Sequence, residues 1–179
     1  MMNAKLNGIT VWPGVIGSSR STGIAGGFLG LVQGWSYHKL TGDSWRNCPS
    51  HTFEIVESDG ILWIGESVRP KSKLTSFMEY ERKLRDGEIR NLQLFEVLHI
   101  SELRQAMAAD WWIENVLEKQ YDIPIFDCPW EFWCTEGVAD SYAKGAGCDV
   151  VEGRNPWPIT IIECWKEKRL KLLEVDDGD

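Results

Sequence analysis

The period of apolar and polar positions changes several times along this 179-residue chain. Ile9-Thr10-Val11-Trp12 alternates and then meets Pro13-Gly14, which predicts a short first strand. Val15-Ile16 leads into Gly17-Ser18-Ser19-Arg20-Ser21-Thr22-Gly23, a run with the composition of a loop. From Ile24 the apolar residues predict a helix through Trp35, weakened by Gly26, Gly27, Gly30 and Gly34. Trp35 to Pro49 is polar and reads as a loop. The clearest period-2 signal follows, as a hairpin of Thr52 to Glu57, a Ser58-Asp59-Gly60 turn, and Ile61 to Val68.

A two-residue Asp59-Gly60 turn would set Ser58 opposite Ile61. Counting outward, His51 then faces Val68, and Glu66 lies diagonally beside His51 on the same face. That register gathers His51, Phe53, Ile55, Leu62, Ile64 and Val68 around Glu66, an inner face holding one acid and one base. A three-residue loop would put Ser67 on that face instead. Arg69 to Gly87 is charged, and Thr75 to Arg85 reads as a short helix or an exposed excursion. Asn91 to His99 alternates as a strand, and Ser101 caps a helix predicted through about Lys119. A helix of small residues begins at or near Cys134 and stops at Gly145 or Gly147. Ile159 to Trp165 is a β-branched run that reads as a late strand, followed by a charged helical tail.

Composition narrows the class. A hydrophobic content of 43% and a charged content of 26% suit one globular domain with a core at about 12–165, a charged excursion at about 69–90 and an acidic tail at 174–179. The net charge of −8 argues against a phosphate grip, so no nucleic-acid partner is expected. No run approaches the roughly 20 apolar residues of a membrane span, so no stable membrane insertion is expected. The N-terminal residues lack the pattern of a secretory signal, and a cytoplasmic location is the expectation. Five cysteines, with no CxxC or HxxxH pair, predict free thiols and neither a zinc site nor another metal or cofactor.

The candidate chemistry lies in Cys134 and His51. A helix N-terminus favours thiolate over thiol, and a nearby imidazole can take and return a proton. Cys134 lies between Trp133 and the polar pair Thr135-Glu136 rather than inside an aliphatic run. His51 heads a strand of clean alternation, whereas His38 lies in a polar stretch and His99 at a strand end. Glu66 is the candidate for orienting the imidazole, with Ser67 and Glu136 as alternatives. Trp130, Trp133 and Thr135 flank the thiol as candidate substrate contacts, although the two tryptophans suit a core equally well.

The ordered pieces Pro13-Gly14-Val15-Ile16, Ser50-His51-Thr52-Phe53, Gly65-Glu66-Ser67, Gln120-Tyr121-Asp122 and Cys134-Thr135-Glu136 resemble the permuted papain-like fold of the NlpC-type superfamily, in particular its YiiX-like group. The resemblance spans roughly residues 12 to 165. It implies an α+β fold, a small antiparallel β-sheet or barrel packed against helices, with the cysteine after the histidine in circularly permuted order. It also implies Cys134 as nucleophile, His51 as base and Glu66 as orienting group. Thr135 replaces the family's serine, Val15 stands where an acidic residue is frequent, and Arg69 to Arg90 looks like an insertion. The expected function is a cysteine hydrolase, a peptidase or amidase acting through an acyl-enzyme on a peptide, amide or acyl substrate, cell-wall peptide included. The alternatives are a non-catalytic binding module of the same fold and a lipid thioesterase or acyltransferase.

Overall fold

The computed structural model describes residues 2–22, 24–121 and 134–175, the side chains at 24–26 and 28–30 excepted. Among the described residues the strands are β1 (Ala4–Leu6), β2 (Ile9–Val11), β3 (Ile16–Ser21), β4 (His51–Ser58), β5 (Ile61–Glu66), β6 (Lys73–Thr75), β7 (Ile89–Val97) and β8 (Leu170–Leu172). The α-helices are α1 (Ile24–Thr41), α2 (Phe77–Arg85), α3 (Glu102–Asn115), α4 (Cys134–Asp140) and α5 (Pro158–Lys166). Strands β6-β5-β4-β3-β7-β8 form one antiparallel sheet in that order, and β1-β2 form a separate hairpin. The architecture is α+β with an open sheet rather than a barrel.

Hydrophobic burial explains the layering. One sheet face carries Phe53, Ile55, Leu62, Ile64 and Leu94, which pack with Leu6 and Val11 of the β1-β2 hairpin and with Tyr80 of α2. The other carries Ile16, Phe95 and Val97, covered by Val138 and Tyr142 and by Ile159, Ile161 and Ile162 of α5. Val56 on that face packs with Ala109, Trp112 and Val116 of α3 and its end. No helix among the described residues is long and apolar enough to cross a membrane.

The β4-β5 hairpin has the expected two-residue turn. Asp59 and Gly60 both adopt positive φ, at 54° and 71°, and Ser58 pairs with Ile61. That backbone matches the twist of the flanking strands. Asn7-Gly8, at φ 51° and 82°, makes the same turn between β1 and β2, and β1 was not expected.

Several elements differ from expectation, each for a physical reason. The Gly-Ser run at 17–21 is not a loop but the strand β3, paired on both sides by β4 and β7. Its small residues leave room for large neighbours, since a Cβ on Gly17 would lie 2.0 Å from ring atoms of Phe53. Ser19 Oγ hydrogen-bonds Tyr80 Oη at 2.8 Å within the core. Helix α1 runs beyond Trp35 to Thr41, and a turn of 3₁₀ helix at Trp45–Asn47 occupies part of the expected loop. The β-branched run 159–165 is the helix α5. Pro158 starts that helix, and Ile159, Thr160, Ile161 and Ile162 are buried all round, so no helical period shows. The charged stretch after it turns back as β8 against β7 rather than continuing as a helix. Within segment 69–90, the short helix was the correct alternative, as α2, whose Ser76 side chain accepts from the Glu79 N–H as an N-cap, and the unexpected part is the edge strand β6.

Candidate active site

His51 is the first residue of β4 and Glu66 the last of β5. The hairpin register makes them diagonal neighbours, and His51 Nε2 lies 3.1 Å from Glu66 Oε2. The second carboxylate oxygen accepts from Thr75 Oγ1 at 2.5 Å, and the ammonium groups of Lys73 and Lys83 each lie 3.8 Å from it. Of the expected alternatives, Ser67 accepts from Ser72 Oγ at 2.9 Å, and Glu136 lies half-buried on α4.

Cys134 is the first residue of α4, and its thiol lies near enough to His51 for the imidazole to act on its ionisation. With Nε2 turned to Glu66, Nδ1 is the ring nitrogen left for the sulfur. Burial opposes a charged sulfur, yet the hydrogen bond and charge of His51, a backbone bond from Thr52 and the Thr135 hydroxyl outweigh it and lower the thiol's pKa. Burial likewise opposes a charged imidazole, but the bonds and charges of Cys134 and Glu66 push His51 up to about 10. Burial raises Glu66 too, and its bond and ion pair with His51, with help from Thr75 and Lys83, bring it down to about 2. All three directions favour thiolate, imidazolium and carboxylate in a row.

The other described thiols differ. Burial pushes Cys48 and Cys164 each up to about 11. Cys148 is half-buried and lines a cavity of about 370 Å³ with His99, Arg104 and Arg169, a cavity that contains neither Cys134 nor His51. His38 is exposed, with Nδ1 2.8 Å from the Asp43 carbonyl oxygen, and His99 is exposed at the end of β7.

Thr135, an expected substrate contact, follows Cys134 in the first turn of α4. Its hydroxyl is fully buried and donates to Thr52 Oγ1 at 3.0 Å, which ties the start of α4 to β4. Trp130 and Trp133 lie outside the described residues. Sequence reasoning missed Thr75 and Lys83, because they sit in a segment read as solvated charge. It also missed Glu54, although a lone acid between Phe53 and Ile55 is a visible interruption of an apolar strand.

Among the described residues no group of three or more His, Cys, Asp or Glu side chains is placed to hold a metal ion. Cys134 and His51 offer two donors, and Glu66 is already committed to His51 and Thr75.

No protein-family model matches the sequence, and no curated protein matches it. Among solved structures the chain is similar to the crystal structure described as the metalloprotein YiiX from Escherichia coli O157:H7, at 17% identity and a TM-score of 0.60. The match covers 92% of this chain and 99% of that one. The chain therefore has a YiiX-like fold.

Proposed function

We propose that this protein is a cysteine-dependent hydrolase of amide or ester bonds, with Cys134 as nucleophile, His51 as acid and base, and Glu66 as the group that orients the imidazole. The observation that carries the reading is the continuous row Cys134–His51–Glu66, in which each group's proton affinity is shifted toward the charged, reactive form. A thiolate beside an imidazolium is nucleophilic at neutral pH without a separate deprotonation step.

The Cys134 sulfur attacks a carbonyl carbon, forming a C–S bond and a tetrahedral oxyanion. The N–H groups of a helix's first turn have no intrahelical acceptor, so those at the start of α4 suit the oxyanion. Collapse breaks the bond to the leaving nitrogen or oxygen, which takes its proton from His51. The neutral imidazole then takes a proton from water, the resulting hydroxide attacks the thioester, and the acid product leaves with Cys134 again as thiolate. Glu66 stays ionised throughout and holds the ring with one nitrogen toward the sulfur.

The YiiX structure is described as that of a metalloprotein. Among the described residues the donor set does not suit a resident metal, since Cys134 and His51 offer only two donors and Glu66 is turned to His51 and Thr75. No step is routed through one.

The test uses p-nitrophenyl acetate as an acyl donor and intact-protein mass spectrometry as the readout. The wild type is expected to gain one acetyl group on Cys134 in a rapid burst. Cys134→Ala should gain none there, and His51→Ala should acylate at least about tenfold more slowly at pH 7, consistent with the size of general-base effects. Acetylation of Cys134 no faster than that of Cys148 would overturn the hydrolase reading and leave a binding module of the same fold.

A further inference from the structure

A second buried acid lies three residues along β4 from the histidine. Thr52 and Glu54 alternate with His51 and face α4, which is tied to the strand at two points. At its start Thr135 Oγ1 donates to Thr52 Oγ1, and past its end Ser141 Oγ lies 2.6 Å from Glu54 Oε2. Ser141 Oγ is also 2.7 Å from the Val138 carbonyl oxygen, one turn back in the same helix.

Proton counting at Ser141 fixes the state of the acid. A hydroxyl has one proton to donate, and a backbone carbonyl only accepts. If Glu54 were ionised, Ser141 would face two acceptors with one proton. One of the two contacts, at 2.6 or 2.7 Å, would then set lone pair against lone pair. If Glu54 carries the proton, both contacts are ordinary hydrogen bonds in series. Glu54 Oε1 points the same way, being buried without a hydrogen-bond partner among the described residues. An ionised oxygen left so would be far more costly than a neutral carbonyl oxygen.

Among the described residues the neighbours supply no counter-charge. Opposite Glu54 stand Ile16 on β3 and Gly65 on β5, with Trp112 of α3 packed against Gly65. Beyond α4 stand Ser141 and Tyr142. Tyr142 donates to the Gly14 carbonyl oxygen, and burial and Glu54 hold its own ionisation well above the usual range. Burial, only partly offset by the Ser141 bond, pushes Glu54 up to about 8.

We infer that Glu54 is a positioning residue held as a neutral carboxylic acid: its O–H donates to Ser141, Ser141 donates to Val138, and the series fixes the cysteine helix against the strand that carries His51. Loss of the Glu54 proton releases that hold and sets the alkaline limit of the reactive pair. The inference rests on reading Cys134 and His51 as that pair.

The test reads the two groups separately in the whole protein. Infrared spectroscopy follows the carbonyl stretch of a neutral carboxyl group, and NMR of ¹³C-labelled histidine follows His51. The wild type is expected to show the neutral-acid band at pH 7, fading near pH 8 and absent from Glu54→Gln. In the wild type His51 should begin to lose its proton as that band fades, below its limit of about 10, whereas in Glu54→Gln, whose amide can still donate to Ser141, it should keep the proton until about pH 10. Should Glu54→Gln fail to fold, Ser141→Ala must shift the band by removing its hydrogen-bond partner. Absence of the band at pH 7, a band unmoved by Ser141→Ala, or equal His51 titration in wild type and Glu54→Gln overturns the inference. An ordinary His51 titration near 6.5 in both proteins overturns the reactive pair itself, and the carboxyl band tells that failure apart.

Discussion

At the scale of single residues, Glu66 and His51 tie stability to pH in opposite directions. Glu66 in the folded protein sits at about 2, below the roughly 4.3 of an unfolded glutamate. Its contribution is therefore present above about pH 4.3 and is lost as pH falls toward 2. His51 sits at about 10, above the roughly 6.5 of an unfolded histidine. Its contribution is full below about pH 6.5 and is lost as pH rises through 10 while α4 stays on β4, and starts to be lost from about pH 8 once Glu54 gives up its proton. The stability gap between wild type and Glu66→Gln should thus be widest at about pH 5–6, on the order of 2 kcal/mol for a charged buried hydrogen bond. It should close toward pH 2, and urea unfolding at a series of pH values measures it. Thr75→Val removes one donor from the same carboxylate. The acid limb of its stability profile should move to higher pH than in wild type, and an unmoved limb would show that Thr75 does not help hold Glu66 ionised. The His51–Glu66 contact and the start of α4 at Cys134 were legible in the sequence because a hairpin register and a helix start are local patterns. Thr75 and Lys83 were not, because charge density alone does not reveal that a segment folds back onto an acid.

At the scale of elements, β3 shows why period alone misleads. Ile16-Gly17-Ser18-Ser19-Arg20-Ser21 carries almost no apolar signal, yet it is a central strand, because its neighbours fill both faces. The space above Gly17 belongs to Phe53, whose ring atoms would lie 2.0 Å from an added Cβ. Gly17→Ala should therefore destabilise the protein by on the order of 3 kcal/mol in urea unfolding. Adding Phe53→Leu should recover part of that loss, a coupling expected only of residues in contact. Full additivity of the two changes would show that Phe53 does not occupy that space. Helix α5 failed in the opposite sense, being apolar all round, so that its β-branched content outweighed the Pro158 start signal. Both errors concern elements enclosed by tertiary packing, where the hydrophobic pattern has no polar face to set its period. The half-buried β4-β5 hairpin, with its turn dictated by Asp59-Gly60, was read in the right register.

At the scale of the whole molecule, the thiol and the imidazole are 83 positions apart in sequence and meet only when α4 docks on β4. That docking spans the sheet, the α3 cluster and the buried Thr52–Thr135 and Glu54–Ser141 contacts, so the lowered pKa of the Cys134 thiol belongs to the folded chain as a unit. In the unfolded chain every cysteine returns to a pKa of roughly 8.5. Cys134 then loses its thiolate at pH 6, while Cys48 and Cys164, buried and pushed up to about 11 when folded, gain exposure and acidity. Alkylation by the small neutral reagent iodoacetamide along a urea series at pH 6, resolved by peptide mass spectrometry, should show the two classes crossing. Cys134 should slow by at least about tenfold, since thiolate fraction dominates the rate even after its lower intrinsic nucleophilicity is counted. Cys48 and Cys164 should accelerate at the same urea midpoint. A lower midpoint for Cys134 would mean that α4 leaves β4 before the sheet unfolds, so that the site is less stable than the domain that carries it.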